Sequence, residues 1–122
     1  MPLERPHPFV RSDLFGGRGQ VQIWNLMSST PLPPFTTALW CSLEPGADVG
    51  RHRQEEDAEL VICISGNGTA QVDDDTHPLR PGSLVQLPLG AILALRNHDR
   101  DHPLEYLILK ASPEKKSDHV QG

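Results

Sequence analysis

Short apolar runs, each closed by glycine, proline or a cluster of aspartates, set the pattern of this chain. Val21 to Met27 is the first clear run, followed by a Pro31-Leu32-Pro33-Pro34 connection. Thr36 to Leu43 comes next and stops at Glu44-Pro45-Gly46-Ala47. Glu59 to Ser65 is rich in β-branched residues, which favour a pleated, half-buried surface, and it ends at Gly66-Asn67-Gly68. Thr69 to Val72 and Thr76 to Leu79 flank Asp73-Asp74-Asp75, the composition of a hairpin turn. Arg80-Pro81-Gly82 makes another turn before Leu84 to Leu87. Ala91 to Arg96 and Leu104 to Lys110 complete the set, on either side of the polar loop from Asn97 to Pro103.

No window of helical length carries apolar residues at three- and four-residue spacing without an interruption. With 12 prolines and 10 glycines in 122 residues, long helices have no room. Many short strands at near-even spacing predict an all-β sandwich or barrel. We read residues 1–122 as a single domain with a barrel core over about 20–111. The first dozen residues and those after Ser112 read as loosely held termini.

Charge and composition remove several function classes. The formal charge is −5 and no stretch collects the basic residues a phosphate-tracking surface needs, so nucleic acid is not an expected partner. Aromatics make up 5% of the chain, too few for a base-stacking platform. The longest apolar run is too short to cross a bilayer, and the first residues lack the apolar core of a signal peptide, so a cytoplasmic protein without membrane contact is expected. Cys41 and Cys63 each sit inside an apolar run and read as small buried hydrophobes rather than a disulfide.

Two stretches carry a more specific pattern. One runs from Gly46 through His52, Gln54 and Glu59 to Gly66; the other runs from Gly82 through Pro88, Gly90 and Leu93 to Asn97. In order and spacing they resemble the paired motifs of the cupin superfamily: glycine, five residues, His-x-His, three or four residues, Glu, six residues, Gly; then glycine, five residues, Pro-x-Gly, two residues, His, three residues, Asn. Every interval fits across somewhat under half the chain, and two histidine positions differ, being Gln54 and Leu93. The resemblance implies a cupin jelly-roll barrel, also described as a double-stranded β-helix.

In that family three histidines and the glutamate hold a divalent transition metal. The resemblance therefore points to a His52, Gln54 and Glu59 set for zinc, nickel, iron or manganese, with Gln54 keeping a weakly coordinating amide oxygen and Leu93 offering nothing. Alternate residues of a strand share a face, so His52 and Gln54 can point together into a barrel, as can Leu93 and Asn97. Without metal, Gln54 could hydrogen-bond both Glu59 and His52 at the mouth of an apolar pocket, and Leu93 would raise the cost of ionising Glu59. The metal-free pocket is the favoured alternative.

Three functions follow. The leading one is a small-molecule-binding cupin with a pocket lined by Val61, Cys63, Leu93 and Leu95, and with His52, Gln54 and Glu59 as the polar grip. The second is a metal-dependent enzyme similar to the dioxygenases, isomerases and cyclases of the superfamily, with Glu59 or His98 moving protons. The third is a metal-free isomerase or epimerase using His52 and Glu59 as an acid–base pair. The resemblance also implies a homodimer in which N-terminal strands add to the partner's sheet. Other polar groups are read as solvated: His77, the His98 to His102 loop, the Asp73 to Asp75 turn, the Ser28-Ser29-Thr30 run and the Lys115-Lys116 pair.

Overall fold

The computed structural model describes residues 7–27 and 31–113. The Ser28-Ser29-Thr30 run and the Lys115-Lys116 pair lie outside the described residues. Ten strands form: β1 (Phe9–Ser12), β2 (Gln20–Asn25), β3 (Phe35–Leu43), β4 (Asp48–Arg53), β5 (Ala58–Ser65), β6 (Gly68–Val72), β7 (Asp75–Leu79), β8 (Leu84–Leu87), β9 (Ile92–Asn97) and β10 (Leu104–Ala111). The single helical element among the described residues is a 3₁₀ turn, Leu14–Gly16. No helix among them is long and apolar enough to cross a membrane.

The strands divide into a six-stranded sheet ordered β1-β2-β3-β10-β5-β8 and a four-stranded sheet ordered β4-β9-β6-β7. All pairings are antiparallel, and consecutive strands repeatedly fall in opposite sheets, which is the jelly-roll arrangement. Period-two alternation places Val21 and Ile23 of β2, Cys41 and Leu43 of β3, Val61 and Cys63 of β5 and Leu93 and Leu95 of β9 in one core cluster. Both cysteines are free and buried.

The motif residues explain how the turns are made. Gly46, Gly66, Gly82 and Gly90 all adopt positive φ, between 73° and 108°, where a side chain would be strained. Asn97 is 2% exposed, and its amide donates to the carbonyls of Leu43, Glu44 and His102 while its carbonyl accepts from the Asp99 amide. One side chain thus fastens the end of β3 to the β9–β10 loop. The hairpin expected at Asp73 to Asp75 is present, with Val72 opposite Asp75 and Asp73 at positive φ. Asp73 Oδ1 also accepts from the Ile92 amide, a structural role for that carboxylate.

The structure differs from the sequence expectation at two strands. The first dozen residues are not all loosely held: β1 pairs with β2 from Phe9↔Ile23 to Ser12↔Gln20, so the sheet begins before residue 20. Its four residues are too short a run, with Arg11 and Ser12 among them, to register as a strand by composition. β4 was equally hidden, because Asp-Val-Gly-Arg-His-Arg has neither β-propensity nor clean alternation.

Candidate functional site

An irregularity in β4 sets the site. Val49 lies opposite Leu95 and His52 opposite Leu93, so three steps along β4 match two along β9. That extra residue is a β-bulge, and it reverses the parity that would otherwise turn Arg51 inward. His52 therefore shares the inner side with Val49, Leu93 and Leu95. β4 ends at Arg53, yet the Gln54 backbone remains anchored: its main-chain N–H donates to the Ala91 carbonyl at 2.9 Å and its main-chain carbonyl accepts from the Gly90 N–H at 2.7 Å. The Pro88-Leu89-Gly90 turn of the second motif is thereby tied to the first.

Across the barrel, Glu59 on β5 pairs with Lys110 on β10. The ammonium of Lys110 stands 3.8 Å from Glu59 Oε1, with the Glu59 side chain 1% exposed. Between the sheets lies a cavity of about 210 Å³. Its walls are mostly apolar, including Leu39, Val49, Leu93, Leu95 and Ile108, with Phe15 and Arg11 on its lining. Its polar groups include His52, Glu59, Lys110, Tyr106 and Cys41.

The structure brings four of the expected site residues to this cavity: His52, Glu59, Leu93 and Leu95. It does not bring the other three. Val61 and Cys63 face inward on β5 but are fully buried core residues that do not reach the cavity surface. Gln54 is 4% exposed and also off the lining, and its Nε2 has no hydrogen-bond partner among the described residues. The cluster in which Gln54 would bond both Glu59 and His52 does not form: Glu59 Oε2 is likewise unpartnered, and His52 Nδ1 is 3.0 Å from the Gly50 carbonyl.

The electrostatics follow from burial. Removal from water pushes the Glu59 carboxyl up to about 7, and the nearby Lys110 ammonium only partly opposes this. His52 is lowered from its ordinary value, first by burial, with the Gly50 carbonyl favouring the charged ring and Lys110 opposing it. A carbonyl can only accept, so neutral His52 carries its proton on Nδ1 and keeps a lone pair on Nε2. Cys41 is pushed up to about 12 by burial, and Tyr106, hydrogen-bonded to it, is raised well above its ordinary value for the same reason. Neither is an activated nucleophile.

The 3₁₀ turn covers one wall of the site. Phe15, in left-handed conformation at φ 53°, stacks on the His52 ring with centroids 4.0 Å apart and planes 14° from parallel. A Cβ on Gly50 would collide with the Phe15 carbonyl, so glycine at that position lets the turn seat against β4. Sequence reasoning missed Phe15, Arg11 and Lys110. Lys110 was within reach: Leu104, Tyr106, Ile108 and Lys110 alternate along β10, so an inward Tyr106 implies an inward Lys110. Phe15 and Arg11 left no comparable signal.

The donor set does not fit the metal expected from the motifs. No group of three or more histidine, cysteine, aspartate or glutamate side chains close enough to hold an ion occurs among the described residues. Leu93 occupies one histidine position, Gln54 is off the cavity, and a Lys110 ammonium stands beside the remaining carboxylate. A divalent cation at Glu59 would meet that positive charge. The His98 to His102 loop does not supply a rim set either: His98 Nε2 contacts Thr69 Oγ1 at 3.0 Å, and His102 Nδ1 contacts Asp99 Oδ2 at 3.2 Å. His77 is exposed.

Comparison with known proteins agrees with this architecture. A Thermotoga maritima protein described as a predicted oxalate decarboxylase superposes with a TM-score of 0.81 at 23% identity, covering 88% of this chain and 93% of that one. A cupin-2 domain protein from Rhodospirillum rubrum gives 0.73 at 20% identity, covering 95% and 77%. A cupin 2 conserved barrel domain protein from Salinispora arenicola gives 0.65 at 25% identity, covering 75% and 76%. No curated protein matches the sequence. The Cupin_2 cupin-domain family model matches residues 39–110, which span β3 through β10 and more than half of the chain. The chain belongs to the cupin family.

Proposed function

We propose that this chain is a small-molecule-binding cupin whose cavity works without a resident metal. The observation that carries this reading is the cavity of about 210 Å³ between the sheets, apolar over most of its wall and polar at His52, Glu59 and Lys110. A dry protein cavity of about 150 Å³ accepts benzene, so this one suits a substituted ring or a short branched chain. Glu59 Oε2, buried and unpartnered, gives such a ligand a hydrogen-bonding position that the protein itself leaves unsatisfied.

Calorimetric titration of benzyl alcohol into protein dialysed against chelator tests the reading. Saturable one-site binding is expected, and the Ile108→Phe and Leu39→Phe variants, which add volume to the cavity wall, should weaken it while keeping a native circular dichroism spectrum. Absence of binding by any probe of this size, or binding only after metal is restored, would contradict the proposal.

One observation favours a second reading, acid–base isomerisation. Burial pushes the Glu59 carboxyl up to about 7 and lowers His52, and both line the cavity, as groups poised for proton transfer do. Exchange of a bound ligand's carbon-bound hydrogen with deuterated solvent, lost in Glu59→Gln, is the expected sign. A ligand that binds at this site without any such exchange would leave the binding function alone.

A further inference from the structure

The charges on the cavity lining are unbalanced. Arg11 and Lys110 are cationic, while Glu59 is the lone carboxylate among the lining residues, and Lys110 already stands beside it. His52 is held toward its neutral form. Above pH 7, where Glu59 is ionised, one positive charge, that of Arg11, is therefore left over. The Arg11 guanidinium lies over the Phe9 ring at 4.7 Å from its centroid and donates to the Val10 carbonyl, but no carboxylate pairs with it among the described residues. Arg11 is exposed, so this charge stands at the mouth of the cavity, in a chain whose overall charge is −5.

Arg11 also occupies a distinct end of the site. It lies opposite Val21, which lies opposite Leu43, whereas Lys110 lies opposite Thr37 further along the same β3 strand. The polar pair Glu59–Lys110 and the unpaired Arg11 thus stand at different levels, with apolar Ile23, Leu39 and Ile108 among the lining residues. A ligand matched to this lining has an apolar body and a single anionic head. Building on the reading that the cavity binds a small molecule, we propose that its ligand is a small apolar monocarboxylate whose carboxylate is held by Arg11. The guanidinium fork suits a planar carboxylate, and the single excess charge suits a monoanion over a phosphate dianion.

Four probes of one size decide the matter: benzoate, benzyl alcohol, benzylamine and phenyl phosphate, each titrated into the full chain at pH 8 and low salt, where Glu59 is ionised. Benzoate is expected to bind about tenfold more tightly than benzyl alcohol, the factor a charge-assisted hydrogen bond supplies, and benzylamine more weakly than either. Arg11→Gln should bring the benzoate to benzyl alcohol ratio close to one, while Arg80→Gln, on an exposed turn outside the cavity, should leave the ratio intact. Benzyl alcohol or benzylamine binding as tightly as benzoate, or an unchanged ratio in Arg11→Gln, would overturn the assignment to a carboxylate. Phenyl phosphate binding more tightly than benzoate would overturn the choice of a monoanion. Failure of all four probes would instead refute the small-molecule cavity on which the assignment rests.

Discussion

Asn97 and Glu59 are both buried motif residues, and they do opposite things. Asn97 has its amide and carbonyl satisfied by four backbone contacts, so its place in the second motif is structural. Asn97→Ala strips the donor from three carbonyls at once and is expected to cost about 2–4 kcal/mol, read as a lowered urea midpoint. Glu59 instead remains partly unsatisfied, and its cost depends on pH. Its folded pKa of about 7 lies above the ordinary 4.5, so stability present below pH 4.5 is lost as pH rises through 7, on the order of 3 kcal/mol. His52, shifted down, works the other way and loses stability as pH falls below 6.5. Glu59→Gln should therefore remove the decline between pH 4.5 and 7 and be more stable than the parent at pH 8. A parallel pair of stability curves would refute the burial of an ionising Glu59. His52 and Glu59 were legible in the sequence because motif spacing marks them; the orphaned Oε2 was not, since partnership is a property of packing.

At the scale of elements, the site depends on two pieces that hydrophobic patterning does not reveal. β4 owes its existence to pairing with β9, and its bulge is what aims His52 inward. The 3₁₀ turn owes its seat to Gly50, where any Cβ meets the Phe15 carbonyl. Gly50→Ala is expected to displace the turn and to speed amide hydrogen exchange over 14–17, with a stability loss of about 1–3 kcal/mol. Unchanged exchange there would show that the turn does not rest on β4. By contrast β3, β5, β8 and β10 were readable to within a residue or two, because apolar runs bounded by Gly and Pro survive in any context. The inward Lys110 was readable in principle from the alternation of β10, but a lysine on a core face runs against the usual rule.

The two sheets differ in what they show to the outside. At the β10-β5-β8 end of the six-stranded sheet, the residues alternating with the core include Leu60, Ile62 and Ile64 on β5, Leu107 and Leu109 on β10 and Leu84 on β8, whereas Gln86 on β8 and Gln20 and Gln22 on β2 are polar. An antiparallel sheet with one solvated face would carry polar residues there. Glu105 is the charged exception on β10, and its carboxylate accepts from Trp40 Nε1 and Ser42 Oγ. We expect a second copy of the chain to cover this face, giving a homodimer. Light scattering should then return twice the monomer mass, and Ile64→Lys with Leu84→Lys, at positions 37% and 49% exposed, should return the monomer. A parent chain that is monomeric at micromolar concentration would refute the dimer. The jelly-roll barrel and the family were legible from two gapped motifs, whereas the outer face was not, because it follows from which side of each strand the barrel takes as its core.

The central claim is that a small molecule occupies the space between His52, Glu59, Lys110 and Leu93 with no metal present. Methyl resonances of Leu39, Val49, Leu93, Leu95 and Ile108 in chelator-treated protein, followed as benzoate is added, report on that space directly. Saturable shifts concentrated at these five residues are the expected result. Shifts that appear only after a divalent metal is added, or that fall on the outer faces of the sheets, would contradict the account.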